Sequence, residues 1–373
     1  MTENAFTNLS RPLVERSERL SLWLIRRLRS IALRLVSDPD VVVSLVSESR
    51  AVTSQHESFL DEATDWIDEA LPTSYLRGIE QGNRSGRESG NPISAGRFAE
   101  AGILAPSGPP SPISPKAREL LADYPQHFTM YEVFQGAAYR DFEATRIPIV
   151  REQEDRIRRL SVQASESAYR DADTFTRREM SGQLMTQFAD EGITGIRYSN
   201  GRTMKLDSYS EMVARTQTGN AARQANMNRL QEYGMDLVQI SQHFPTSDLC
   251  EPYQGRVFSI SGRSDRFPSL QDAIAGGLYH ANCMHSQAGY TPGINKLPDE
   301  DMAVRENRDQ YEAKQEQRYN ERQVKAWKRR EAAAMTEAEQ VKAKAKVRQW
   351  QARQRDHIKS NEFLRRDYSR EQI

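Results

Sequence analysis

The sequence predicts a mainly α-helical protein with a small α+β core domain, long helical arms and a C-terminal antiparallel helical hairpin. Apolar residues recur at helical spacing, as at Leu20, Leu24, Leu28 and Ile31, over most of the chain. The apolar–polar alternation that is typical of strands is found within residues 196–261. Apolar residues make up 37% and charged residues 28% of the chain, with a mean hydropathy of −0.76. This polar composition favours exposed helices around a modest core.

Proline and glycine mark the boundaries between the predicted segments. The first helix is expected to end at Asp38-Pro39 and the second near Leu71-Pro72. Residues 78–115 are rich in Gly, Ser and Pro and end in PSGPPSPISP, a composition that cannot bury enough apolar surface to order itself. The predicted division is an N-terminal helical block (1–77), a flexible linker (78–115), a helical block (116–195), an α+β core with a metal site (196–295) and a basic helical hairpin (296–373).

The α+β core is predicted to begin with a β-hairpin. Asn200-Gly201 lies between two β-prone flanks, which is typical of a two-residue type I′ turn. A helix then starts at an N-cap formed by Asp207 or Ser208 and ends at Gly234. Three further elements follow in order: strands within residues 237–243 and 256–261, and a short helix at residues 269–274.

The last segment predicts two helices joined by a tight turn. Thr336-Glu-Ala-Glu339 is a capping box, so one helix ends near Met335 and a new one begins. Trp327 and Trp350 lie on either side of this turn, where an antiparallel hairpin could bring them close together. Residues 303–373 hold 19 Lys or Arg against 12 Asp or Glu, although the whole chain has 52 of each. This basic tail predicts an electrostatic contact with nucleic acid or an acidic protein surface.

The chain has only two cysteines, and one short segment holds both of them together with two of the six histidines. The candidate metal ligands are Cys250, His280, Cys283 and His285, with His243 as a reserve. Two thiolates and two imidazoles form a complete donor set for tetrahedral Zn²⁺. Four protein donors favour a closed, structural zinc site over a catalytic one, which keeps a position for water.

Three other interpretations of these residues stay open. The two thiols could form a disulfide, although one isolated pair without a secretory signal favours a reducing compartment. They could be ordinary buried side chains, since free cysteine packs like a small hydrophobe. Cys283 could also be a nucleophile with His280 or His285 as its base.

Residues 20–35 form the most apolar stretch near the N-terminus, but four arginines interrupt it. A membrane-spanning helix is therefore excluded, and an amphipathic helix packed on other helices is expected, with membrane-surface binding as a weaker alternative. No signal peptide is apparent. We therefore expect a soluble protein that is intracellular, or enclosed in something intracellular, with no membrane partner.

Several spaced motifs resemble the phage minor capsid protein 2 family, which is related to Mu-type head morphogenesis proteins. In order they are RYSNGRTMKLDSYSEMVARTQTGNAARQ, DLVQISQH, PYQGRVFSISG and GLYHANCMHSQAGYTPG, followed by the charged tail. The likeness covers roughly residues 125–373 and leaves residues 1–115 unmatched. The family's usual His-Pro-Asn-Cys-Arg-His string stands here as His280-Ala-Asn-Cys-Met-His285. Ala281 and Met284 depart from it, but every candidate ligand is kept.

The resemblance implies a structural virion protein that acts at or near the portal vertex, in head assembly and in DNA packaging or delivery. Its implied partners are the portal protein and/or the major capsid protein, with assembly in the host cytoplasm. The N-terminal block, tethered by the predicted linker, would dock on such a partner. Residues 303–373 would contact phage DNA without sequence preference.

Two other functions compete with the structural one. The first is a nucleic-acid-binding virion protein that uses the basic tail. The second is a Cys/His or metal-dependent enzyme. An enzyme is disfavoured because the carboxylates near the cysteines share no helical or strand register, and the absence of a P-loop excludes a packaging motor.

Overall fold

The computed structural model describes residues 3–38, 40–93, 103–169, 173–192, 194–197, 201, 203–298 and 304–373. The helices are α1 (Glu3–Ser37), α2 (Leu45–Ser89), α3 (Pro115–Leu120), α4 (Phe128–Glu143), α5 (Arg146–Tyr169), α6 (Thr174–Glu191), α7 (Leu206–Glu232), α8 (Leu270–Ala275), α9 (Val304–Ala333) and α10 (Glu337–Lys359). Short 3₁₀ turns lie at Pro125–His127 and Tyr368–Glu371. The strands are β1 (Thr194–Arg197), β2 (Thr203–Lys205), β3 (Leu237–Ile240), β4 (Val257–Ser259) and β5 (Gln287–Gly289).

The predicted fold class is confirmed, because helices dominate and the strands form two small antiparallel sheets. β1 pairs with β2, and β3 lies between β4 and β5. The hairpin register pairs Arg197 with Thr203, whereas a two-residue turn at Asn200-Gly201 would pair Arg197 with Met204. Asn200 itself lies outside the described residues.

Two compact units make up the chain, and each is built from three separate stretches. Unit 1 contains Met1–Leu13, Glu62–Phe142 and Ser210–Tyr311, and unit 2 contains Val14–Asp61, Glu143–Tyr209 and Glu312–Ile373. This organisation differs from the five consecutive segments predicted from composition. In particular, the predicted α+β core is divided, with the β1–β2 hairpin in unit 2 and the three-stranded sheet in unit 1.

The core of unit 2 is a cluster of helix faces. The helical spacing seen in the sequence is confirmed, since Leu20, Leu24, Leu28 and Ile31 of α1 are all buried. The cluster joins apolar residues of α1, α5, α6 and the α9–α10 turn: Ile25, Leu28, Ile31, Ala32, Leu35, Val36, Ile157, Leu160, Ala164, Met185, Phe188, Ala189, Ala333 and Met335. The part of α1 in unit 2 is therefore a core element rather than part of a separate docking block.

A buried ion-pair network fixes α9 within unit 2. Asp207 accepts a hydrogen bond of 2.8 Å from Arg329 and lies 3.7 Å from Lys325, which also pairs with Glu18. Burial alone would raise the pKa of Asp207, but the charges of Arg329 and Lys325 hold it below its usual range. Asp207 is therefore not the predicted N-cap. It lies inside α7, which begins at Leu206, and serves as an ionic anchor.

The C-terminal hairpin and its capping box are confirmed. The Thr336 hydroxyl accepts from the backbone N–H of Glu339, whose carboxylate accepts from the backbone N–H of Thr336. Contacts between the helices run antiparallel: Lys344 lies 3.9 Å from Glu331, Gln354 donates to Glu321, Arg353 pairs with Glu316 and His357 contacts the Ala313 carbonyl. The Trp350 ring packs edge-on against Tyr319 at 5.7 Å.

In unit 1, α2 packs on α7 through a row of glycines. Gly78, Gly82 and Gly86 are four residues apart and lie on one face of α2. A Cβ atom at Gly78 would overlap the backbone of Ala222, and Cβ atoms at the next two glycines would overlap the side chains of Arg229 and Tyr233. The predicted linker is therefore wrong over residues 78–89, where the glycines permit close helix packing instead of ending the helix.

Residues 103–114, the described remainder of the predicted linker, are held on α4 by hydrogen bonds. The Gln135 amide donates to the Pro112 carbonyl and accepts from Ser114 N–H, and the Glu132 backbone carbonyl accepts from Ser111 N–H. The pairing of these backbone groups with side chains and with α4 contradicts a flexible tether. Residues 94–102 lie outside the described residues.

The three-stranded sheet and α7 enclose a second core cluster in unit 1. It unites apolar residues from the end of α7, the sheet and the loops around α8: Met227, Leu230, Tyr233, Met235, Val238, Ile240, Cys250, Phe258, Ile260, Leu270, Ala273, Leu278, Tyr279 and Cys283. Gly234, with φ of +67°, ends the helix in a left-handed conformation as predicted. Both cysteines belong to this core. Among the described residues, no helix combines the length and the apolar character that a membrane crossing requires.

Candidate metal centre

A compact turn between β3 and β4 presents Cys250. The Cys250 N–H donates to the Ser247 carbonyl at 2.9 Å, and the Cys250 carbonyl accepts from Tyr253 and Gln254 N–H groups. These bonds fix the backbone on both sides of the thiol. The side chain consequently points into the core, where only 1% of the residue is exposed.

The loop between α8 and β5 presents the other donors, and Arg223 of α7 holds it. Arg223 donates to the Cys283 carbonyl at 3.0 Å and to the His285 carbonyl at 2.8 Å. Its guanidinium also lies 4.3 Å from the centre of the Tyr279 ring. Tyr279 and Asn282 adopt positive φ values of 60° and 66°, which turn the loop sharply between them. One buried cation therefore fixes the whole loop.

Three of the four predicted ligands come together. The Cys250 and Cys283 sulfurs are 3.5 Å apart, and the Cys283 sulfur lies 3.4 Å from Nδ1 of His285. All three donor atoms lie within 4.8 Å of one another, and all three residues are buried. The structure thus forms a Cys₂His cluster whose two cysteines are 33 positions apart in the sequence.

His280 does not belong to this cluster. Its Nε2 lies 3.1 Å from the Ser247 hydroxyl and its Nδ1 lies 2.8 Å from the Ala281 carbonyl. The reserve ligand His243 instead stacks on the His285 ring, with centroids 4.2 Å apart and an interplanar angle of 27°. Two of the residues in the spacing His-x-x-Cys-x-His, Cys283 and His285, lie beside Cys250, but the spacing did not predict the direction of each ring.

Gln254 determines how His285 presents its nitrogens. The Gln254 Oε1 atom accepts from the His243 backbone N–H at 3.2 Å and lies 3.3 Å from Nε2 of His285. Because an amide oxygen only accepts, Nε2 must carry the hydrogen. In the neutral ring, Nδ1 then holds the lone pair that faces Cys283.

The two thiols differ in the direction in which their surroundings shift the pKa. A hydrogen bond from Cys250 and the positive charge of Arg223 hold the pKa of Cys283 below its ordinary value. The same hydrogen bond, with burial, raises the pKa of Cys250. Cys283 is therefore the first of the two to become a thiolate. The Cys283–His285 spacing would also suit a nucleophile and its base, but both side chains are buried away from a macromolecular substrate.

Comparison with known proteins places the chain in a family. The model of the family described as phage minor capsid protein 2 matches residues 155–359, which is more than half of the chain and includes all three clustered donors. The chain belongs to the phage minor capsid protein 2 family. The resemblance found in the spaced motifs is thereby confirmed, since the match is to a family of phage minor capsid proteins.

The chain is similar to two proteins described as phage structural proteins. One, from Lactococcus phage LL-H, is 31% identical over 186 residues, covering 46% of this chain and 49% of that protein. The other, from Lactococcus phage mv4, is 35% identical over 118 residues, covering 29% of this chain and 93% of that protein. The chain thus spans about half the length of the first relative. No solved structure matches it.

Sequence reasoning missed the residues that support the cluster. Arg223 lies in a charged and amide-rich helix, where an arginine ordinarily indicates a solvated face, yet it is 4% exposed. Gln254 belongs to the run PYQGR, which by itself indicates only the family. β5 was also missed, because three residues give too short a period to detect.

Proposed function

We propose that this minor capsid protein acts at or near the portal vertex of a tailed-phage head, in head assembly and in DNA packaging or delivery. Its partners would be the portal protein and/or the major capsid protein, with assembly in the host cytoplasm. The observation that carries the proposal is the match over residues 155–359 to a family of minor capsid proteins. The function is architectural, and the clustered thiols and imidazole serve the fold.

The description of the family as minor capsid proteins indicates few copies per particle. Few copies favour a unique position in the particle. A closed symmetric shell offers many equivalent binding sites. A protein that bound to all of them would be about as abundant as the protein that forms the shell. A low-copy protein fits the vertex that occurs once, where the portal interrupts that symmetry. Long helices with polar faces, such as α9 and α10, can pack on a neighbouring ring without an additional domain.

The test is to locate and count the protein in purified particles. We expect few copies per particle by quantitative mass spectrometry, and a label on the chain seen by electron microscopy at the tail-bearing vertex alone. Particles made without the protein should be defective in assembly or in filling with DNA. A label spread over all vertices or facets, or absence from purified particles, would overturn the proposal.

A DNA contact is favoured by one specific surface. Residues 340–355 of α10 contain six Lys or Arg and no Asp or Glu. Lys344, Arg348, Arg355 and Lys359 are exposed and recur at spacings of four, seven and four residues, so they share one face of the helix. We assign the proposed DNA contact to this cationic face of α10. The contact predicted for residues 303–373 is thereby restricted to one helix.

The cations of α9 behave differently from those of α10. Lys325, Arg329 and Arg330 pair with carboxylates inside unit 2. On the cationic face of α10, by contrast, Arg348, Arg355 and Lys359 form no ion pair with any other described residue, and Lys344 lies 3.9 Å from Glu331. Their charge can therefore neutralise phosphates, which releases counterions and produces salt-dependent binding.

A charge-matched pair of variants tests this surface. The variant Lys344→Gln, Arg348→Gln, Arg355→Gln and Lys359→Gln should bind duplex DNA more weakly. The slope of log K against log salt should fall by about 0.9 for each phosphate that the variant no longer neutralises. The control replaces four exposed arginines elsewhere with Gln: Arg77, Arg84, Arg151 and Arg263. Equal weakening in both variants, measured by fluorescence anisotropy, would show that only overall charge matters.

A further inference from the structure

We propose that Cys250, Cys283 and His285 bind one Zn²⁺ ion, with a water molecule as the fourth ligand. This inference concerns the chemistry of unit 1 and is independent of where the protein lies in the particle. It modifies the set of four ligands that the sequence predicts, because His280 is removed from it. Three protein donors leave a position for water, as in many catalytic sites, but the burial of every protein donor favours a structural centre in the core.

The distances between the donors fit the ion. Zn–S bonds of ~2.3 Å and Zn–N bonds of ~2.0 Å at tetrahedral angles place two sulfurs about 3.8 Å apart and a sulfur and nitrogen about 3.5 Å apart. The observed separations are 3.5 Å and 3.4 Å. A shift of a few tenths of an ångström would bring these two separations to those values, and the third pair of donor atoms, on Cys250 and His285, lies within 4.8 Å. Thiolates with imidazole favour zinc over hard cations such as Mg²⁺ or Ca²⁺.

The protonation of the imidazole is already suitable for a metal. Gln254 fixes the hydrogen on Nε2 of His285, so the lone pair on Nδ1 points toward the sulfurs. Arg223 holds the carbonyls of Cys283 and His285 and keeps both donors in place. Gln254 and Arg223 would thus orient the ligands before the ion binds, as hydrogen bonds to the metal-ligating residues do in zinc proteins.

The ion would connect two loops that no strand pairing joins. Cys250 lies in the turn between β3 and β4, and the other two donors lie between α8 and β5. Coordination would close a loop of 33 residues over a core cluster that already contains both cysteines. Because unfolded chains hold no preformed site, metal binding would add directly to folding stability.

A disulfide is the competing outcome. Joining Cys250 to Cys283 would remove two protons and two electrons and therefore needs an external oxidant. It would also bring the sulfurs from 3.5 Å to about 2.0 Å. A disulfide leaves no thiolate for a metal, so the two outcomes exclude each other. Mass spectrometry of the alkylated, unreduced chain distinguishes them.

The decisive experiment uses the wild-type full chain without a histidine tag, produced with added zinc and dialysed. We expect about one zinc per chain by elemental analysis, and X-ray absorption showing two sulfur neighbours at about 2.3 Å with nitrogen or oxygen at about 2.0 Å. Failure to retain zinc, a coordination sphere without sulfur, or a Cys250–Cys283 disulfide would each overturn the proposal. This measurement does not depend on the folding of any variant.

Variants then test the ligand set. Cys250→Ala and Cys283→Ala should lose the zinc, and with Co²⁺ in its place they should lose the thiolate charge-transfer band. His280→Ala is the matched control in the same loop, and it should keep one zinc and the wild-type spectrum. Loss of zinc from His280→Ala, with circular dichroism showing a folded chain, would instead make His280 a ligand and overturn the three-donor assignment.

Discussion

A single amide oxygen, that of Gln254, decides which nitrogen of His285 faces the two thiols. The residue types alone were enough to predict three donors that the structure brings together: Cys250, Cys283 and His285. It also selected His280, which contacts Ser247 instead. Side-chain direction in this loop depends on the positive φ of Tyr279 and Asn282, which spacing does not encode because neither residue is glycine.

At the same scale, His56 makes the stability of unit 2 depend on pH. His56 is buried, its Nε2 lies 2.9 Å from the Thr145 hydroxyl, and burial with the nearby charge of Arg146 lowers its pKa to about 4. The unfolded chain, with a histidine pKa of about 6.5, binds this proton more readily, so the histidine destabilises the fold as pH falls from 6.5 towards 4. Above pH 6.5 its contribution is constant.

We therefore expect the variant His56→Gln to lose less stability than wild type on acidification. From pH 7 to pH 4.5 the difference in the free energy of unfolding should be about 2–3 kcal/mol, from the shift of the pKa between the two states. Urea unfolding followed by tryptophan emission measures it. Parallel pH profiles for the two proteins would show that His56 protonates equally well in the folded state.

At the scale of elements, α2 shows why glycine is ambiguous in a sequence. Composition places Gly78, Gly82 and Gly86 at the start of a linker, because glycine weakens isolated helices. In the structure they form the face of α2 that meets α7. The glycine row can be interpreted only when its partner is known, and the residues that it meets, Arg229 in α7 and Tyr233 just after it, are distant in sequence. Capping boxes are local, and Thr336 was accordingly predicted correctly.

Gly78 could simply weaken α2, or it could permit close packing on α7. The substitution Gly78→Ala distinguishes these two roles by the sign of its effect on the free energy of unfolding. Helix propensity alone would stabilise the protein by about 1 kcal/mol. Packing predicts the opposite, a loss of about 1–3 kcal/mol, because the new methyl group would overlap the backbone of Ala222, which cannot rotate away.

Arg84→Ala, at an exposed position of the same helix, is the control and should change stability by less than about 0.5 kcal/mol. Thermal and urea unfolding measure both variants. A stabilised Gly78→Ala protein would mean that α2 and α7 are not in close contact.

At the scale of the whole molecule, the elements were predicted better than their grouping. Composition divided the chain into consecutive blocks, because Pro- and Gly-rich segments usually separate domains. The two units instead combine stretches that are far apart in sequence, such as Glu62–Phe142 with Ser210–Tyr311. The signals for that pairing are hydrogen bonds between distant residues, such as the one from Gln81 to the Gln287 carbonyl, and a single sequence does not reveal them.

Both units contain stretches from residues 1–110. We therefore predict that neither unit folds when these residues are deleted. Their loss would take α1 from the core of unit 2 and α2 from the face of α7 in unit 1. We expect the fragment 111–373 to show no cooperative thermal transition and to be digested rapidly by protease, whereas the full chain resists. A fragment that melts cooperatively and resists digestion would restore the N-terminal block as a separate docking module.

The three-part construction of each unit also has a consequence for synthesis on the ribosome. The core of unit 2 packs residues of α1, such as Leu28 and Ile31, against Met335 in the α9–α10 turn. At about 5–20 residues per second, synthesis from Ile31 to Met335 takes roughly 15–60 s. Until then the apolar face of α1 lacks part of the native surface that covers it. We expect the nascent chain to need a holding chaperone, and premature termination before residue 311 to give aggregates rather than a smaller folded protein.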